Sequence, residues 1–206
     1  LLLWILEKGG QIQPTNSAIL LDTFMQEMLK DQTGDFGKEK FNQFNKIRLL
    51  SAIALEMYNE EVIAAKENRP YSFTYGALTL LVEKHLKAME MSAFKPTSII
   101  NKLIDVGVLI QVPGSNKMYF RFRCFMEYFL AKQMNTSEDF FNHVLSEANY
   151  LDFSNVINYY TGFTCDKVSV LNKIITRLEI EYLDLSTILG ETIKVDDYFI
   201  RKGLLE

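Results

Sequence analysis

The chain has 206 residues, 48% of them apolar and 13% aromatic, enough to bury one or two cores and too apolar to stay disordered. A net charge of −4 excludes a global positive field that would draw in nucleic acid or anionic lipid. Its two cysteines, Cys124 and Cys165, have neither metal-site nor disulfide-framework spacing, which points to a reducing cytoplasm.

At the start, Leu1-Leu2-Leu3-Trp4-Ile5-Leu6 reads as the tail of a helix already under way, stopped by Gly9-Gly10. The run is too short to span a bilayer and lacks the preceding basic residues of a signal peptide, so no membrane partner is expected. It suggests a fragment of something longer. Pro14-Thr15-Asn16 then offers helix-start chemistry, and Ile19, Leu20, Phe24, Met28 and Leu29 follow at helical spacing, predicting a helix from Ser17 to Lys30. Asp31 to Lys38, with Gly34 and Gly37, reads as a loop.

From Phe41 to Met57 a long apolar stripe predicts a second helix, and Asn68-Arg69-Pro70 ends the linker that follows it. Tyr71-Ser72-Phe73 fits a short extended segment before a third helix, from Thr74 to Glu90. Pro96-Thr97-Ser98 opens a fourth, closed at Gly107. Val108 to Val112 and Met118 to Arg123 read as two strands around the turn Pro113-Gly114-Ser115-Asn116. Period two then gives way to period 3.6, and Phe125 to Met134 continues as a helix behind the hairpin. This order is that of a winged helix. Beyond Asn135, helical patterns at Glu138 to Glu147, Asp152 to Phe163, Lys167 to Tyr182 and Asp197 to Leu205 suggest helical hairpins.

The fold expected is mainly α: a helical subdomain, a winged helix with one β-hairpin, and a helical extension. Its domains are drawn at 1–37, 38–135 and 136–206.

Catalytic chemistry is sparse. No G-x-x-x-x-G-K-[ST] phosphate loop occurs, and Gly34-Asp35-Phe36-Gly37-Lys38 has the wrong spacing for one. The only histidines, His85 and His143, offer no paired metal-ligand spacing, and His85 reads as a partly exposed helix residue. Carboxylates one or two positions apart, such as Glu60 with Glu61, Glu179 with Glu181 and Asp196 with Asp197, point in different directions on a helix and read as solvated faces. No catalytic residue and no metal ligand is therefore assigned. Glu127 is expected in the first turn of its helix, favoured there by the helix dipole. Lys117, Arg121 and Arg123 crowd the wing, where a winged-helix DNA-binding regulator would touch phosphates. The would-be recognition helix offers only Lys95, Asn101, Lys102 and Asp105, which makes nucleic acid a poor partner.

The run Tyr119-Phe120-Arg121-Phe122-Arg123-Cys124-Phe125-Met126-Glu127-Tyr128-Phe129-Leu130-Ala131 resembles the winged-helix signature of NACHT-type STAND NTPases, F-x-H-x-x-F-x-E-[YF]-x-A. Leu1 to Gly10 is similar to the helix after that family's ATPase module, and Pro14 to Leu21 to the start of the next one. The resemblance implies a regulatory winged-helix and arm region of a signalling ATPase that switches between ADP and ATP, with magnesium. Its phosphate-binding motifs would lie before Leu1, so that the parent would be the ATPase and this region would bind no nucleotide alone. It further implies contact with the upstream ATPase module, oligomerisation on activation, a protein trigger and, in bacteria, antiphage defence. Phe122 stands where many relatives place a histidine near the ADP phosphates. An aromatic ring cannot make a charge-assisted bond to phosphate, so Arg123 is the candidate that could supply charge, although strand alternation would point it to the opposite face.

Overall fold

The computed structural model describes residues 16–30, 41–146, 148–163 and 168–189. The expectations for Leu1 to Gly10, Pro14 and Thr15, the loop Asp31 to Lys38, Cys165 and Asp197 to Leu205 lie outside these residues. The described elements are α1 (Ser17–Lys30), α2 (Gln43–Lys66), α3 (Tyr75–Ala88), α4 (Pro96–Asp105), β1 (Leu109–Gln111), β2 (Met118–Phe120), α5 (Arg123–Gln133), α6 (Glu138–Val144), α7 (Ser154–Gly162) and α8 (Val168–Leu189). The fold is mainly helical, with one antiparallel hairpin and further helices after it. Among the described residues no helix is long and apolar enough to cross a membrane.

Local chemistry sets the helix starts. Asn16 Oδ1 accepts from Ile19 N at 2.8 Å, Asn42 Oδ1 from Asn45 N at 3.0 Å, Thr74 Oγ1 from Ala77 N at 3.2 Å and Ser137 Oγ from Phe140 N at 3.2 Å. Pro96 occupies the first turn of α4, where its missing N–H costs nothing. The end of α1 is capped from another helix: buried Lys46 of α2 donates Nζ to Leu29 O at 2.8 Å, a cation where the helix dipole favours one. Burial lowers the Lys46 pKa, and Lys102 lowers it further.

The hairpin pairs Leu109 with Phe120, Ile110 with Tyr119 and Gln111 with Met118. The extended segment before α3 runs beside β2, with Met118 N donating to Phe73 O at 2.9 Å and Tyr75 N to Asn116 O at 2.8 Å. The second strand is shorter than its alternation suggests. Arg121 N still reaches Val108 O at 2.9 Å, but Phe122 is the N-cap of α5 and Arg123 its first residue. Phe122 lies three residues before Phe125 and packs edge-on against its ring, with centroids 5.1 Å apart, a helical contact that ends the strand. The opposite-face relation expected of Phe122 and Arg123 therefore does not apply.

Helix α5 is buried nearly all round, through Phe125, Met126, Tyr128, Phe129, Leu130 and Ala131, as a central helix must be. It packs on α2 and α7, and also on α1 and β2. Phe125 meets Phe24 at 6.0 Å, Phe129 meets Phe120 at 5.6 Å and Tyr128 meets Phe163 at 5.4 Å between ring centroids. The two ends of the α1 and α7 pair come so close that a Cβ on Gly162 would sit 2.6 Å from the Ala18 Cβ, and Asn16 Nδ2 donates to Gly162 O at 3.1 Å. Helix α8 belongs to a separate unit. Its Val168, Leu171, Ile175 and Leu178 are exposed at alternating spacings of three and four residues.

One polar cluster crosses this core. The Tyr128 hydroxyl donates to Asp22 Oδ1 at 2.7 Å, Lys132 Nζ approaches the same oxygen at 2.7 Å, and Gln26 Nε2 donates to Asp22 Oδ2 at 2.7 Å. Lys132 Nζ also sits 3.8 Å from the Phe163 ring centroid. Burial, with Asp22 beside it, raises the Tyr128 pKa. Asp22→Ala strands a buried hydroxyl and a partly buried ammonium and should cost about 2 to 3 kcal/mol. Tyr128→Phe removes only a donor and should cost about 1 kcal/mol. Urea unfolding of both variants checks the order, and equal small losses would contradict it.

Candidate functional site

The charged residue that the sequence singles out, Arg123, opens α5 with a side chain 57% exposed. The α5 N-cap, Phe122, provides no side-chain cap, so the first N–H groups of the helix have no hydroxyl or carboxylate from that residue. Arg123 is not idle. Its Nη1 lies 2.6 Å from Glu61 Oε2 of α2, and its Nε 3.6 Å from Glu127 Oε1 one turn further along α5. Glu127 is thus not a first-turn carboxylate: α5 begins two residues earlier than the sequence pattern suggests, and Glu127 faces Arg123 and the Asn155 amide, at 3.3 Å, instead of backbone N–H groups.

Beneath this ion pair lies a cavity of about 210 Å³, lined by Met57, Glu61, Tyr71, Tyr119, Phe120, Arg123 and Met126. Tyr71 and Tyr119 stack with ring centroids 4.6 Å apart and planes at 27°. Tyr71 is fixed at its hydroxyl and through the residue that follows it. Its hydroxyl donates to Met118 O at 3.0 Å, while its neighbour Ser72 donates through N and Oγ to Glu60 Oε1 at 2.9 and 2.7 Å. Arg69 grips the same carboxylate with both terminal nitrogens, at 2.6 and 2.9 Å, and holds the turn after α2 in place. Burial, together with Glu61 nearby, raises the Tyr71 pKa.

The two candidates of the sequence stand side by side at the start of α5, yet only Arg123 lines the cavity. Phe122 is exposed, with the Arg121 guanidinium 6.0 Å from its ring centroid. Among the cations around the hairpin, Arg123 is paired with carboxylates, Glu61 at 2.6 Å and Glu127 at 3.6 Å. Other reactive groups lie elsewhere or are quiet. Burial and Glu127 raise the Cys124 thiol pKa, which keeps it protonated. His85 is half-buried with Nε2 enclosed and unbonded, and burial lowers its pKa. Among the described residues no three His, Cys, Asp or Glu side chains gather as a metal would require.

Sequence reasoning missed Glu61, Tyr71 and the methionine floor. The pair Glu60 and Glu61 reads as a solvated face, whereas one grips Arg69 and the other Arg123. The available signal was indirect: Tyr119 falls between Met118 and Phe120 on β2, and so must leave the side on which those two are buried.

Residues 71–130 match the family model described as Novel STAND NTPase 4. That stretch runs from Tyr71 of the cavity wall to the last turn of α5, and includes α3, α4 and the hairpin. The match supports a STAND NTPase region here, of the kind found in STAND-type signalling proteins. Met57 and Glu61 lie before it. No curated protein and no solved structure matches the chain.

The grip on Glu60 has a measurable signature. Arg69 first, then Ser72, holds its carboxyl down at about 2, against a usual 4.5. Stability drawn from the ionised form is present above the usual value and is lost as pH falls through that range towards 2. Glu60→Gln should therefore be less stable than the parent at neutral pH, with the gap narrowing steadily on acidification below about pH 5. Urea midpoints across that range would show it, and a constant gap would contradict it.

Proposed function

We propose that the chain is the regulatory winged-helix and arm region of a STAND signalling ATPase, an ADP/ATP-controlled switch that oligomerises when a protein trigger is sensed. The observation that carries this reading is the family match over α3, α4, the hairpin and most of α5, at whose start Arg123 stands exposed. On this reading residues 38–135 are the winged helix, 1–37 follow the ATPase module and 136–206 lead towards a sensor. The resemblance to NACHT-type proteins supports a role in bacterial antiviral defence.

The residues present fit part of a nucleotide. A cavity of about 210 Å³ is below the roughly 300–1,000 Å³ of sites that enclose drug-sized ligands. One exposed guanidinium at a helix start without a side-chain cap suits a single phosphate contact. Bound ADP supplies the negative charge that such a contact recognises. Arg123 would exchange its pair with Glu61 for a phosphate oxygen, and Phe122 would offer only ring surface. The rest of the nucleotide, with its magnesium, belongs to the upstream ATPase module.

Switching then follows from differential contact: ADP favours the arrangement in which α5 meets the ATPase module, and ATP favours one in which that interface is exchanged for contacts between copies. Arg123→Ala in the full-length ATPase should speed ADP release by about tenfold or more, the worth of one hydrogen bond to a charged group. Release of a fluorescent ADP analogue measures it. Unchanged release would overturn the assignment of Arg123.

A further inference from the structure

The cavity under Arg123 is too small for a nucleotide, but it has the dimensions and lining of a side-chain pocket. Its floor is Met57, Met126 and Phe120, whose thioethers and ring adapt to an alkyl stem. One wall is the stacked pair Tyr71 and Tyr119, aromatic surface that attracts cations. Two carboxylates, Glu61 of the lining and Glu127 one turn along α5, share a single guanidinium, that of Arg123, which leaves one net negative charge among the three. Glu61 is held by the tighter of the two contacts, at 2.6 Å, while Glu127 is 3.6 Å from the guanidinium and receives only a neutral amide, that of Asn155, at 3.3 Å. The Arg123 side chain is 57% exposed and that of Glu61 35%, so their pair is open enough to water to exchange partners at modest cost, while Glu127, 15% exposed, keeps the Asn155 amide.

The geometry points to a recognition pocket for one cationic side chain, an arginine on a peptide segment of a protein partner. Its guanidinium takes the place of Arg123 between Glu61 and Glu127, with its alkyl stem on the methionine and tyrosine walls. Arg123 serves as the resident occupant that a partner's arginine displaces. An apolar side chain would leave the net negative charge unmatched, and an acidic one would face two carboxylates. The pocket does not depend on the nucleotide reading. If that reading also holds, a phosphate that draws Arg123 away uncovers both carboxylates, and nucleotide state and partner binding become coupled.

The test uses this chain with methyl-labelled methionine and two blocked tripeptides, acetyl-Gly-Arg-Gly-amide and its neutral, nearly isosteric citrulline counterpart. The arginine peptide should shift the Met57 and Met126 methyl signals with millimolar affinity, and the citrulline peptide should not. Arg123→Ala should tighten arginine binding about two- to fivefold by vacating the carboxylates, and Glu61→Gln should weaken it by a similar factor. Unperturbed signals from the remaining methionines confirm that both variants stay folded. Equal responses to the two peptides, shifts confined to other methionines, or an Arg123→Ala variant that binds no better would overturn the proposal. None of these outcomes bears on ADP release.

Discussion

Everything described between α1 and α7 depends on the burial of α5. Six of its eleven residues are removed from water, and they touch α1, α2, β2 and α7. An eleven-residue helix has little stability of its own, so its existence and that of its neighbours are one cooperative event. The Tyr128, Asp22 and Lys132 cluster adds direction to this otherwise apolar packing. A buried hydroxyl must find its acceptor, and only one register of α1 on α5 provides it.

The same helix carries the chemistry at its other end. Because α5 starts at Arg123, the guanidinium projects where α2 brings Glu61, and Glu127 follows one turn along. Helix α2 supports this mouth, with Met57 in the floor and Glu60 anchoring the turn that leads to Tyr71. A shift of α5 against α2 would therefore pull apart an ion pair and a cavity wall at once. The proposed switch would draw on that coupling, and the proposed arginine pocket lies on the same boundary between the two helices.

What the sequence disclosed is what short-range physics determines. The bounds of α1, Ser17 to Lys30, follow from a cap at Asn16 and a regular apolar stripe, and the hairpin follows from a turn between β-rich runs. The end of β2 was not legible, because alternation through Phe122 and Arg123 is compatible with either period until the Phe122 ring finds Phe125. Glu127 was placed a turn too early for the same reason. The Arg123 and Glu61 pair spans 62 positions and exists only because α5 packs on α2. No local pattern could have distinguished Glu61 from a solvated carboxylate. The Tyr71 and Tyr119 stack is likewise a product of tertiary placement, though Tyr119 between two buried neighbours marked it as the outward residue of its strand.

The proposed switch requires a catalytic module upstream of these residues. The coding sequence upstream of Leu1, read for a few hundred codons, tests it most directly. A glycine-rich phosphate loop followed by an acidic magnesium-binding strand, in one open frame with Leu1, is the predicted result. A start codon immediately before Leu1 would contradict it, and leave a free-standing helical protein whose groove would have to be explained without a nucleotide.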